Sequence, residues 1–195
     1  MIKIRKSVFE TNSSSIHSIA IPKSNDISFK PEHIHFGFDD FGWEIEQVDN
    51  ADYLYTAIVC CCSDEEIEEL KNLIESELNK QNISCDFATP RFETYEWEGK
   101  VYRSLNGGYI DHYEGLEEFL SYLNTNKDKI VPYILNGRTF TGNDNIDSDE
   151  TGSNQRELKQ ISVYNYNKGK CITKTVENPY YEKGNDNFDW IHKGN

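Results

Sequence analysis

The sequence predicts a single domain of the α+β class, built mainly from an antiparallel sheet with about three helices packed on one side. The chain has 195 residues, 36% of them hydrophobic, which is enough for one core and short for two. Some segments alternate apolar and polar residues as half-buried strands do, and others repeat apolar residues at helical spacing. We expect residues 1–177 to form the domain and residues 178–195 to be an irregular tail.

The amino-terminal residues predict two strands joined by a polar turn. Ile2 and Ile4 alternate with basic residues, and Ile19 and Ile21 alternate with small ones, which is the period of a half-buried strand. Residues 10–15 between them are Glu, Thr, Asn and three Ser, a polar cluster in which Asn and Ser favour a turn. The first 22 residues are therefore predicted to form a strand, a turn and a second strand.

A third strand is predicted over residues 33–38, because apolar and polar side chains alternate there. The side chains predicted to share the buried face are Ile34, Phe36 and Phe38. His33 and His35 then share the opposite, polar face. Two histidines at this spacing can bind one metal ion, but two exposed histidines are the simpler interpretation, so no metal is predicted.

Two helices are expected next. Leu54, Ala57, Ile58 and Cys61 fall on one helical stripe. The second helix begins after Ser63, a good N-cap with Glu66 three residues on, and its apolar residues follow at helical spacing. Adjacent residues of a helix point about 100° apart, so the three cysteines at 60–62 do not converge on one metal ion.

The rest of the chain predicts a mixture of strands and helices. In chain order these are a strand over 83–88, a hairpin over 93–97 and 101–105 that turns at Glu98 and Gly99, a helix over 113–124, a short helix over 130–135, and strands over 138–141, 161–164 and 171–175. Residues 141–145 resemble a fragment of a calcium loop, but they lack the spacing of an EF-hand, so a turn is predicted.

Charge is spread unevenly along the chain. The formal net charge is −14, and residues 32–69, here called the acid block, carry twelve Asp or Glu and no Lys or Arg. An acidic body repels phosphate backbones, so generic nucleic-acid binding is disfavoured and a protein with a basic surface is the more natural partner. No apolar run is long enough for a membrane span or a signal peptide, which predicts a cytoplasmic protein.

Two groups of residues are candidate sites. The first is an anion or nucleotide site at the serine turn, in which hydroxyls and backbone amides cradle a phosphate and a histidine supplies or orients a proton. Its candidate residues are Glu10, Asn12, Ser13, Ser14, Ser15, His17, Asp111 and His112. The alternative is that the serines satisfy only local backbone groups and that His17 faces the core.

The second candidate is a partner-binding surface on the acid block, where carboxylates would dock on a basic surface of another protein. Its candidate residues are Asp39, Asp40, Glu44 and Glu46. The alternative is a solvated surface without a partner. Neither candidate names a cofactor, and no G-x-S-x-G elbow or Walker loop indicates a reaction.

The segment Val-Phe-Glu-Thr-Asn-Ser-Ser-Ser-Ile-His-Ser at 8–18 resembles the opening of an uncharacterised family of small proteins from phages and mobile elements of Gram-positive bacteria. The resemblance continues at 35–38, 41–44, 51–57, 108–112 and 141–145. The resemblance supplies no activity, cofactor or catalytic residue, but an origin in phages favours a small protein that binds and inhibits or sequesters a host component, such as part of a defence system. The alternative function is a phosphate- or nucleotide-binding protein, or an enzyme, that uses Ser13–Ser15 with His17. A structural or assembly protein of a virion is a further alternative.

Overall fold

The computed structural model describes residues 3–4, 17–41, 48–110, 115–143, 158–177 and 187–193. The helices of this part are α1 (Asn50–Cys61), α2 (Asp64–Asn79), α3 (Leu116–Thr125), a 3₁₀ turn (Lys127–Lys129) and α4 (Ile130–Leu135). Its strands are β1 (Lys3–Ile4), β2 (His17–Pro22), β3 (His33–Phe36), β4 (Asp40–Phe41), β5 (Ser84–Phe87), β6 (Phe92–Trp97), β7 (Lys100–Leu105), β8 (Tyr109–Ile110), β9 (Phe140–Asn143), β10 (Leu158–Asn165), β11 (Lys170–Glu177) and β12 (Phe188–Lys193).

The strands pair in several small sheets. Antiparallel pairs join β2 to β9 and to β12, β6 to β7, and β10 to β11. Parallel pairs join β1 to β7, β3 to β5, and β4 to β8. Together with the helices, these pairs confirm the predicted α+β class. No helix of the described residues is long and apolar enough to cross a membrane.

Helix α1 occupies the centre of the core. Nine of its twelve residues are buried, so it is covered on nearly every side rather than along one stripe. Tyr53 and Tyr55 are its largest buried side chains, and Tyr55 packs against Phe36 of β3 and Phe87 of β5. Asp49 caps the helix by accepting a hydrogen bond from the backbone N–H of Ala51.

Helix α2 begins as predicted. The Ser63 hydroxyl accepts a hydrogen bond from the Glu66 backbone N–H, and the Glu66 carboxylate accepts one from the Ser63 N–H at 2.8 Å. Two N–H groups that a helix start leaves without partners are thus satisfied. The hairpin of β6 and β7 also turns as predicted, at Glu98 and Gly99, whose positive φ values of 50° and 71° fit a two-residue hairpin turn.

The prediction of an irregular tail over 178–195 is wrong for its last strand. Residues Phe188–Lys193 form β12, which pairs antiparallel with β2 and sets Ile191 opposite Ala20. Ile19, Ala20 and Ile21 are at most 1% exposed. A strand buried to that degree needs hydrogen-bond partners for its backbone on both edges, and β9 and β12 supply them.

Candidate functional site

A cleft of about 590 Å³ opens between the end of α1, the outer face of α2 and α3. Leu70, Leu73 and Leu120 line it with apolar surface. The carboxylates on its wall are Glu66, Glu69 and Glu117, and Lys127 contributes one ammonium group. This volume lies within the range of about 300–1,000 Å³ that is typical of ligand sites, and an apolar lining with a few polar groups is equally typical.

The spacing of residues along α2 and α3 explains why the wall of the cleft is acidic and the surface between the two helices is apolar. On α2, positions 66, 69, 70 and 73 share one face because residues three and four apart are neighbours on a helix. Ile67, Ile74 and Leu78 lie on the adjoining face, which packs into the core, and are at most 4% exposed. On α3, positions 117, 120, 121 and 124 repeat the same arrangement and turn toward the cleft.

The cleft is negative near neutral pH. Helix α2 carries seven Asp or Glu and one Lys, and α3 carries two Glu and no basic residue. Hydrogen bonds from Ser63 hold the pKa of Glu66 below its ordinary value, so this carboxylate stays ionised. Burial, followed by the nearby Glu66 and Glu117, raises the pKa of the Cys62 thiol to about 11. The Cys62 thiol is therefore neutral at neutral pH.

Glu66 and Glu69, which line the cleft, lie at the carboxyl-terminal end of the acid block. The partner-binding residues predicted from the sequence lie nearer its amino-terminal end. Asp39 and Asp40 are exposed, and the Asp39 carboxylate accepts a hydrogen bond from the Asp40 backbone N–H at 2.8 Å. Neither residue lines the cleft. Glu44 and Glu46 lie outside the described residues.

The predicted anion site falls mostly outside the described part of the chain. Glu10, Asn12, Ser13, Ser14, Ser15, Asp111 and His112 all lie outside it. The backbone of His17 begins β2 and pairs with Asn143 of β9. A phosphate site at the serine turn therefore stays a prediction.

His33 and His35 share the exposed face of β3, as predicted, and both contact a residue that sequence reasoning missed. Asp86 of β5 lies opposite His35, and its two carboxylate oxygens are 2.6 Å from His33 Nε2 and 2.8 Å from His35 Nδ1. These hydrogen bonds hold the pKa of Asp86 below its ordinary value. Among the described residues, no group of three or more His, Cys, Asp or Glu side chains could hold a metal ion.

Asp49 is a second carboxylate that the sequence did not single out. The Tyr166 hydroxyl donates a hydrogen bond to it, and the Ala51 backbone N–H donates another at 2.8 Å. Burial raises the pKa of Asp49 to about 6, against the lowering effect of these hydrogen bonds. Only the helix-capping role had a sequence signal, because Asp is common just before a helix.

Comparisons of the chain with protein-family models, with curated proteins and with solved structures give no match.

Proposed function

We propose that this chain is a non-enzymatic binding protein that captures a basic segment of another protein in the cleft between α2 and α3. The observation that carries the proposal is the combination of apolar lining and carboxylate wall in one cleft. Leu70, Leu73 and Leu120 offer a place for an apolar anchor, and Glu66 and Glu69 stand beside it. Apolar anchors supply most of the binding energy of an interface, and the surrounding charges add orientation and rate.

The charge of the cleft selects the chemistry of the partner. Three carboxylates against one ammonium disfavour phosphates and acidic peptides, because like charges repel at close range. An amphipathic helix is the form that best fits, since its apolar residues at helical spacing enter a groove while Lys or Arg residues flank them. The expected partner is thus a protein with a basic amphipathic segment.

The setting of this activity follows from the resemblance of residues 8–18 to proteins of phages and mobile elements. In that setting the partner is a host protein with a basic surface, such as a component of a defence system, and the chain inhibits or sequesters it inside the bacterial cell. The net charge of −14 also supports a basic partner, because it attracts positively charged proteins toward the chain.

A synthetic amphipathic helix of leucine and lysine, labelled for fluorescence anisotropy, tests the proposal directly. We expect Glu69→Lys and Glu117→Lys each to weaken binding by about threefold or more, as loss and reversal of one rim charge does. The matched control is Glu118→Lys, which makes the same change of charge at an exposed position of α3 outside the cleft. Equal weakening by Glu118→Lys would mean that the peptide responds to net charge alone, and the proposal would be wrong.

A further inference from the structure

The carboxylates of the cleft gather at one of its ends. Helix α2 begins two residues after Cys62, and the charges of Glu66 on α2 and Glu117 on α3 both raise the pKa of the Cys62 thiol. Both glutamates therefore lie near Cys62, and all three residues line the cleft. Glu69 follows one turn along α2, about 4.5 Å further on. We call the part of the cleft beside Cys62, Glu66 and Glu117 the acidic end.

Helices α2 and α3 both run away from the acidic end, and the single ammonium group lies where α3 stops. Leu73 on α2 and Asn124 on α3 are each seven residues past the glutamate of their own helix, which is a rise of about 10 Å. Both residues line the cleft. Lys127 also lines it and belongs to the 3₁₀ turn that follows α3 and contacts α2. The cleft therefore has an acidic end and, about two helical turns away, a basic one.

The side chains that give the two ends their charge are open to solvent. Glu69 and Lys127 are both exposed, and the ion pairs among the described residues include neither of them. Their charges are therefore available to a molecule that enters the cleft.

The dipoles of the two helices reduce this difference in charge but do not reverse it. Each helix start places about half a positive charge at the acidic end, where three carboxylates leave about two negative charges in excess. The end of α3 places about half a negative charge near Lys127, which leaves about half a positive charge there. Helix α2 ends at Asn79, six residues beyond Leu73, so its negative end lies past the cleft.

A bound helix brings its own polarity, because its amino-terminal end is positive and its carboxyl-terminal end is negative. We propose that the cleft binds an amphipathic helix in one preferred direction, with basic amino-terminal turns at the acidic end and the carboxyl-terminal end beside Lys127. This inference rests on the proposed function and adds the order of residues in the partner. The fitting segment has Lys or Arg first, apolar anchors for Leu70, Leu73 and Leu120 next, and an acidic residue last. The reversed order would place like charges together at both ends of the cleft.

Two synthetic peptides of identical composition test the direction against the full chain. The forward peptide has its lysines in the first two turns, its leucines in the middle and its glutamates at the end, and the reversed peptide has the opposite order. Both are hydrocarbon-stapled to equal helicity, checked by circular dichroism, because acids at the start and bases at the end would otherwise favour the reversed helix. In anisotropy titrations we expect the forward peptide to bind about threefold or more tightly than the reversed one.

Variants of the basic end separate direction from net charge. Lys127→Glu should weaken the forward peptide by about threefold or more and should not weaken the reversed one. The matched control is Lys168→Glu, which makes the same change of charge at an exposed position between β10 and β11 outside the cleft. It should leave the ratio of the two affinities unchanged, and an equal loss of that ratio in both variants would overturn the proposal.

A nitroxide label on either end of the forward peptide reports the direction without a variant. A label at the amino terminus should broaden the amide resonances of residues 66 and 117 before those of 124 and 127, and a label at the carboxyl terminus should do the reverse. The opposite pattern would contradict the proposed direction, as would reversed peptides that bind equally or more tightly. If Glu69→Lys still weakens both peptides in that case, the proposed function stands and only the direction falls. Binding of neither peptide would overturn both.

Discussion

The Tyr166 hydroxyl donates a hydrogen bond to the carboxylate of Asp49 and so fastens the β10–β11 hairpin to the start of α1. The same carboxylate caps the helix by accepting from the Ala51 N–H, which the Tyr166 oxygen also approaches at 3.3 Å. A hairpin distant in sequence thus supports the central helix of the core. Two predictions follow from this contact.

Removal of the hydroxyl in Tyr166→Phe takes one of two donors from a partly buried carboxylate, which keeps its hydrogen bond from the Ala51 N–H. We expect the free energy of unfolding at neutral pH to fall by about 1.5–3 kcal/mol, which is the usual contribution of a hydrogen bond to a charged group. Urea denaturation measures the change. Tyr164→Phe is the matched control on the same hairpin, since Tyr164 contacts Tyr166 through its ring. An equal loss in both variants would contradict the role of the Asp49 contact.

Asp49 should also make stability depend on pH. Its pKa is about 6 in the folded state against 3.8 for the ordinary group, so the folded chain holds the proton more tightly. The stabilisation is fully present below about pH 4 and is lost as the pH rises through about 6, by up to about 3 kcal/mol. Other carboxylates titrate in the same window, so the relevant measurement is the difference between wild type and Asp49→Asn. Parallel stability curves from about pH 4 to 7 would show that Asp49 has no raised pKa.

The capping box of α2 predicts a local effect. Ser63→Ala removes the hydroxyl that accepts from the Glu66 N–H, and we expect a loss of about 1 kcal/mol in the free energy of unfolding. Glu65→Ala changes an exposed residue of the same turn outside the capping box and should have a smaller effect. Thermal denaturation of the two variants compares them. A greater loss from Glu65→Ala would show that charge, rather than capping, stabilises this helix start.

Lys129 joins β12 to the loop after β2 through an ion pair and hydrogen bonds. Its side chain is 9% exposed. Its ammonium group donates hydrogen bonds to the Lys23 carbonyl at 2.7 Å and to Asn25 Oδ1 at 2.8 Å. The same group forms an ion pair with Asp189 at 2.5 Å. Lys129→Ala should cost about 3 kcal/mol or more, because it leaves the Asp189 charge and two acceptors unpaired. Hydrogen exchange should show faster opening of β12. Lys127→Ala, at an exposed position of the same 3₁₀ turn, should leave that exchange rate unchanged, and a similar acceleration there would contradict the account.

Features that depend on near neighbours in sequence were predictable. The Ser63 and Glu66 capping box, the turn at Glu98 and Gly99, and the alternation of Ile34 and His35 all follow from spacings of one to three residues. Each of them is fixed by local backbone geometry, which the sequence states directly.

Features made by distant pairing were not predictable. Asp86 meets His35 because β3 pairs in parallel with a strand 51 residues later, and no local pattern marks that register. The cleft likewise depends on α3 lying beside α2, and β12 depends on an open edge of β2. The acid block was recognised by composition, but composition does not tell which of its carboxylates share a groove.

A charge-swap experiment tests the central claim most directly. The leucine and lysine helix should bind Glu69→Lys more weakly than wild type. A peptide with one lysine replaced by glutamate, at the position that faces residue 69, should regain affinity for Glu69→Lys while losing it for the wild type. Such a reversal in anisotropy titrations, with a coupling of about 0.5 kcal/mol or more, is the predicted result. Peptides that lose affinity for both proteins alike, whichever lysine is replaced, would contradict binding in the cleft.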